Sequence, residues 1–151
     1  MQRCSFTINK FLLMALCMLV IALTASCSKQ PLYPAPPLNG TNVSIEIASL
    51  PMEVPQFYTF RSGDKNVNFF VLRMKDKVLS FFDACITCYP SKRGYRYEDG
   101  YVICGACNTT YSIYKLEKGI GGCYPIRLEG KTETGRYLIP VSALERMASK
   151  F

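Results

Sequence analysis

Four thiols arranged as two C-x-x-C pairs, Cys85 with Cys88 and Cys104 with Cys107, stand fifteen residues apart in this chain. Two residues between thiols allow both sulfurs to point at one centre while the intervening backbone N–H groups face them. Two such knuckles joined by a hairpin can close over one ion or cluster. Thiolates are soft donors, so zinc, iron, an iron-sulfur cluster or copper(I) all suit the set. The sequence holds no histidine and no tryptophan. That excludes His-based metal sites, Ser-His-Asp and Cys-His catalysis and histidine-ligated haem together. Cys123, in "GGCYP", is a fifth downstream thiol. An odd number cannot all pair, so four ligands plus one extra thiol, or two disulfides plus a free thiol, both stand open. A thioredoxin-like motif would open a helix after a strand, and nothing around Cys85 or Cys104 reads that way. A thiol-disulfide redox protein and a structural lipoprotein with disulfides are the rival readings.

The compartment follows from the N-terminus. Arg3 and Lys10 flank a polar start, and residues 11–25, "FLLMALCMLVIALTA", form an apolar core shorter than the roughly 20 residues of a membrane span. The segment ends "LTASC", which looks like a bacterial lipobox with Cys27 as the lipidated residue, although Thr24 stands where that pattern prefers Leu. Residues 1–26 are read as a signal peptide and 27–42, rich in proline, as a lipidated cysteine and semi-extended tether. Residues 43–151 are read as the metal-binding domain. Positive charges before the apolar run keep that end cytoplasmic, placing the domain in the cell envelope, facing the periplasm or cell exterior. Arg3 alone does not make a twin-arginine signal. An unfolded export route would leave metal to be picked up outside, which favours a single ion over a pre-built cluster.

The elements that must carry the cysteines read as strands. Short apolar or alternating runs at 43–48, 56–60, 67–74, 78–83, 95–97, 101–104, 111–116, 125–131 and 136–141 are split by turn residues, with Lys75-Asp76-Lys77 and Glu98-Asp99-Gly100 at hairpin positions. This is an all-β pattern of short antiparallel strands with two Cys-bearing loops. A short C-terminal helix follows, with Ser142 and Glu145 as a capping box ahead of Leu144, Met147 and Phe151. Each C-x-x-C falls where a strand gives way to a loop. Phe81, Phe82, Tyr89, Tyr95, Tyr97, Tyr101, Tyr111 and Tyr124 lie close to the cysteines in sequence, mostly as core, with some able to exclude water from a site. Asp83 either borders the ligands or ends a strand. Gly121 and Gly122 would allow positive φ and let backbone approach the site.

The formal charge is +7. Apart from Lys92, Arg93 and Arg96 the basic residues are scattered, so no nucleic-acid interface is expected. The small cluster suits an acidic partner or anionic group.

The combination of "DACITCY", "GYVICGAC" and "GGCYP" resembles the membrane iron-sulfur FtrD-like family, from about Val67 to Leu144. It departs at Tyr124, where that family has Asn. The resemblance implies that Cys85, Cys88, Cys104, Cys107 and Cys123 face the metal, with Asp83, Tyr89, Gly122 and Pro125 around them. It also implies service to iron uptake or electron transfer, with an inner-membrane iron permease or redox partner and no substrate turned over. The motif order is similar to that of a Rieske sandwich, with a third loop, "GIGGCYP", covering the centre. Rieske centres use histidine, so an all-cysteine set is no true Rieske site and would sit at lower potential.

Overall fold

A computed structural model of the chain describes residues 30–119 and 122–151. The expected signal peptide, the lipidation site Cys27 and Gly121 lie outside the described residues. Within them are eleven strands in three antiparallel sheets. The first sheet has the order β1(Leu38–Asn39), β2(Asn42–Glu46), β11(Arg136–Pro140), β10(Lys131–Glu133). A second runs β3(Gln56–Ser62), β4(Lys65–Arg73), β5(Val78–Cys85), β9(Pro125–Leu128). The third is β6(Tyr95–Glu98), β7(Tyr101–Cys104), β8(Thr110–Ser112). Among the described residues no helix is long and apolar enough to cross a membrane.

Sheet β3-β4-β5-β9 lies between two cores, which explains why "VNFFVLR" and "VLSFFDAC" are nearly continuous apolar runs. A strand buried on both faces has no polar side to alternate with. Val67, Phe69, Val71, Phe82 and Ala84 pack with Val43, Ile45, Tyr137 and Ile139 of the first sheet. The opposite-facing Phe70, Leu72, Leu79, Phe81 and Cys85 pack with Tyr95, Val102, Cys104 and Tyr111 of the third. The period-2 alternation of β5 therefore sends Cys85 to the same face as Phe81.

Four local expectations differ. Residues 111–116 do not form one strand, because β8 stops at Ser112 and a 3-10 helix follows from Ile113 to Lys118, burying Ile113 and Leu116 at helical spacing. The run at 125–131 is split into β9 and the start of β10. The C-terminal helix, α1(Val141–Arg146), has Pro140 as its N-cap and no side-chain cap, so Ser142 lies inside it and the capping box does not form. Leu144 and Phe151 do enter the first core.

The fourth concerns the proline-rich segment. From Gln30 onward it is docked on the β3-β4 hairpin. Asn68 Nδ2 donates to the Pro31 carbonyl at 2.6 Å, the Tyr33 N–H to Thr59 Oγ1 at 2.9 Å, and the Thr59 N–H to the Pro34 carbonyl at 3.1 Å. Tyr33 packs on Phe57 with ring centroids 5.0 Å apart. Proline has no N–H but keeps its carbonyl, and its preset φ lowers the entropy lost on docking. Buried Asn68 and Thr59 supply the missing polar partners.

Candidate metal centre

Both knuckles begin at strand ends. Cys85 closes β5 and Cys104 closes β7, and both sulfur-bearing residues are buried in the second core. Past Cys85 the chain turns so that the Cys88 N–H donates to Cys85 Sγ at 2.8 Å, the N–H-to-sulfur geometry expected of a knuckle. A 3-10 turn, Tyr89–Ser91, follows with Pro90 at its start. The Cys104 knuckle is closed by the Asn108 N–H donating to the Cys104 carbonyl at 2.9 Å, with Asn108 at φ 57°. This turn carries Cys107 outward, leaving it exposed with Sγ 3.2 Å from Thr109 Oγ1. The two knuckle loops are tied directly, Gly105 N–H to Gly94 carbonyl at 2.8 Å.

Cys123 joins them from the third loop. Its sulfur lies 3.6 Å from that of Cys88, well beyond the roughly 2.05 Å of a disulfide. The Tyr95 hydroxyl donates to the Cys123 carbonyl at 2.9 Å, and Thr87 Oγ1 to the Gly122 carbonyl at 2.6 Å. A Cβ on Gly122 would meet Thr87 Oγ1 at 2.7 Å. Gly122 thus serves close backbone approach. Pro125, buried, pairs with Cys85 across the sheet.

All five described cysteines are free thiols. They form two groups, Cys85-Cys88-Cys104 and Cys88-Cys107-Cys123, in each of which the sulfurs lie within 4.8 Å of one another. The four C-x-x-C sulfurs do not all lie within 4.8 Å of one another. The reason is local: Cys104 is fixed inward by β7 while the Asn108 turn swings Cys107 out.

Asp83 does not end a strand. It sits within β5, almost fully buried, where Oδ1 accepts the Tyr95 N–H at 2.6 Å and Oδ2 the Tyr33 hydroxyl at 3.3 Å. Burial pushes its carboxyl up to about 7, against the lowering effect of the Tyr95 N–H. Among the thiols, burial raises Cys88 and Cys104. Cys123 is raised chiefly by its contact with Cys107. Cys107 moves the other way, down to about 6, because the Thr109 hydroxyl and N–H stabilise its thiolate.

The aromatics divide. Phe81, Tyr95 and Tyr111 wall the cysteine side, whereas Phe82 belongs to the opposite core and Tyr101 is exposed. Tyr89 lines a small enclosed cavity with Asp83, Cys85, Cys88, Cys104 and Gln30, but its ring carries the Lys150 ammonium 4.5 Å from the centroid. Tyr111 has a buried hydroxyl without a hydrogen-bond partner. Burial, then the negative charge of Cys123, Cys107, Cys85 and Cys104, raises it to about 12.

Sequence reasoning missed Tyr33, Thr87, Thr109, Gly94 and Gln30. Tyr33 and Gln30 lie in the segment read as a tether. Thr87 and Thr109 carried one usable signal, a hydroxyl within two residues of a knuckle cysteine.

A model of the family described as membrane iron-sulfur containing protein FtrD-like matches residues 50–151. No curated protein matches the chain.

Proposed function

This chain belongs to the FtrD-like family of membrane iron-sulfur containing proteins, and from that premise we propose that it is a lipid-anchored envelope protein holding a metal centre on Cys85, Cys88, Cys104, Cys107 and Cys123. Its role is to pass electrons or metal to a membrane partner in iron uptake, with no substrate turned over. The observation that carries this reading is the meeting of five unpaired thiols from three loops in two compact groups.

The residues fit a thiolate-bound metal or cluster. The buried Tyr111 hydroxyl has no hydrogen-bond partner, and its residue shares a core with Cys85 and Cys104, so it is a donor that an anionic sulfur centre would satisfy. When bound, such a group supplies a one-electron couple or a transferable ion. The chain's own residues hold and insulate it. Phe81, Tyr95 and Tyr111 exclude water from the inner side, the Cys88 N–H polarises the Cys85 sulfur, and Thr87 clamps the third loop. The outer side, at Cys107, is left open to a partner.

Docking of the proline-rich segment supports a partner in the membrane itself. Gln30 lines the cavity beside Cys85, Cys88 and Cys104. Three Cα-to-Cα steps of up to about 3.5 Å each lead from it to Cys27, so a lipid there would hold the cysteines within roughly ten ångströms of chain reach from the bilayer. Lys92 and Arg93 line the same cavity and suit anionic headgroups or an acidic partner.

A thiol-disulfide function is favoured by one observation, the exposed Cys107 with its lowered thiol. Its partner Cys104 is buried and raised, which opposes cycling. The deciding experiment is metal and acid-labile sulfide analysis with an absorption spectrum on protein purified from the envelope, paired with thiol counting under denaturing conditions. Bound metal with five titratable thiols is expected. Metal-free protein whose C-x-x-C pairs are disulfides would overturn the reading.

A further inference from the structure

We propose that the five thiolates bind two thiophilic metal ions, with Cys88 as the ligand common to both. This rests on the metal-binding reading above and deepens it. The inner ion takes Cys85, Cys88 and Cys104; the outer takes Cys88, Cys107 and Cys123.

A tetrahedral ion with metal-sulfur bonds of about 2.3 Å spaces its four sulfurs about 3.8 Å apart. One ion on the two C-x-x-C pairs would therefore gather all four sulfurs into a single close set. The cysteines instead form two triads, each within 4.8 Å, that intersect at Cys88 alone. The Cys88–Cys123 separation of 3.6 Å matches the span across one ion. Thiolate sulfur has lone pairs enough to bridge two metals. Charge points the same way: five thiolates on one divalent ion leave a formal excess of three negative charges in a half-buried site, and a second divalent ion leaves one. The two positions are not equivalent. Cys85 and Cys104 are buried, whereas Cys107 is exposed, so the outer ion is the one that exchanges.

The test is a titration of the reduced, metal-free full-length chain with cadmium(II), followed by sulfur-to-cadmium absorption, native mass spectrometry and cadmium-113 NMR. Two equivalents and two thiolate-shifted resonances are expected. Cys123→Ser, checked for folding by circular dichroism, should halve the uptake to one equivalent and keep the inner resonance. Wild-type uptake that stops at one equivalent overturns the shared-ligand site and leaves the metal-binding reading standing. Cys123→Ser protein that still takes two ions also overturns it. Wild-type protein that takes none removes both.

Discussion

Gly94 is the position at which a single methyl should do the most damage to the site. Its φ is +58°, and a Cβ there would lie 2.7 Å from the carboxylate carbon of Asp83. That carboxylate cannot swing away freely, because it is almost fully buried and held by the Tyr95 N–H at 2.6 Å. Gly94→Ala therefore adds left-handed strain of about 1 kcal/mol and displaces a charge-assisted hydrogen bond worth about 1.5–3 kcal/mol. The expected loss is about 2.5–4 kcal/mol. Gly63 supplies a matched control, since it has φ +60° and a methyl added there would meet nothing within 4 Å. Gly63→Ala should cost the strain alone, about 1 kcal/mol. Urea unfolding of the reduced, metal-free chains, with m-values compared, gives both numbers. The Gly94 carbonyl also accepts the Gly105 N–H, so the variant should weaken metal binding by loosening one knuckle from the other. If Gly94→Ala proves no costlier than Gly63→Ala, the packing of Asp83 beneath this loop is wrong.

The raised Asp83 carboxyl has a pH signature. Because its folded value of about 7 lies above the ordinary 3.8, the folded state holds a proton that the unfolded state has lost between those values. Its contribution therefore falls as pH rises from about 4 to about 7, by up to about 4 kcal/mol. Subtracting the stability-pH curve of Asp83→Asn from that of the wild type should expose the slope, and parallel curves would refute it. Tyr111→Phe removes a hydroxyl with no partner. It should leave the metal-free protein as stable or slightly more so, yet shift the absorption or reduction potential of the metal-loaded form; an unmoved spectrum would place the hydroxyl away from the metal. Asn68→Ala breaks the bond to Pro31 and leaves the Thr59 hydroxyl proton without its acceptor. A loss of about 2–3 kcal/mol, with residues 30–37 becoming protease-sensitive, is the expected result, whereas unchanged proteolysis would argue against a docked segment. Glu117, half-exposed and held below its usual range first by Lys77 and then by Arg127, should matter little. Glu117→Gln should cost under about 1 kcal/mol, with the difference shrinking in high salt and as pH falls through the depressed carboxylate value.

The C-x-x-C knuckles and most strands were legible because both are local. A knuckle needs only two intervening residues and a turn, and residues 101–104 form the strand "YVIC" on β-branched and aromatic content alone. Even so, "YSIYKL" carries the same content, and burial of Ile113 and Leu116 against the second core turned most of it into a 3-10 helix. Composition likewise made residues 30–41 resemble a tether. Their docking depends on Thr59 and Asn68, about 26 to 37 positions away, and no local pattern encodes such a partnership.

The same division runs through the metal centre. Residue type and spacing by themselves determined that soft thiolates are a ligand set this chain concentrates, and that each pair would begin where a strand gives way to a loop. Which sulfurs meet was decided by tertiary structure. The pleat of β5 turned Cys85 toward the third sheet, the turn at Asn108 carried Cys107 outward, and Thr87 drew Cys123 to Cys88. Strand pairing, a left-handed residue and a contact across 35 positions set those directions, and each depends on chain segments meeting in space.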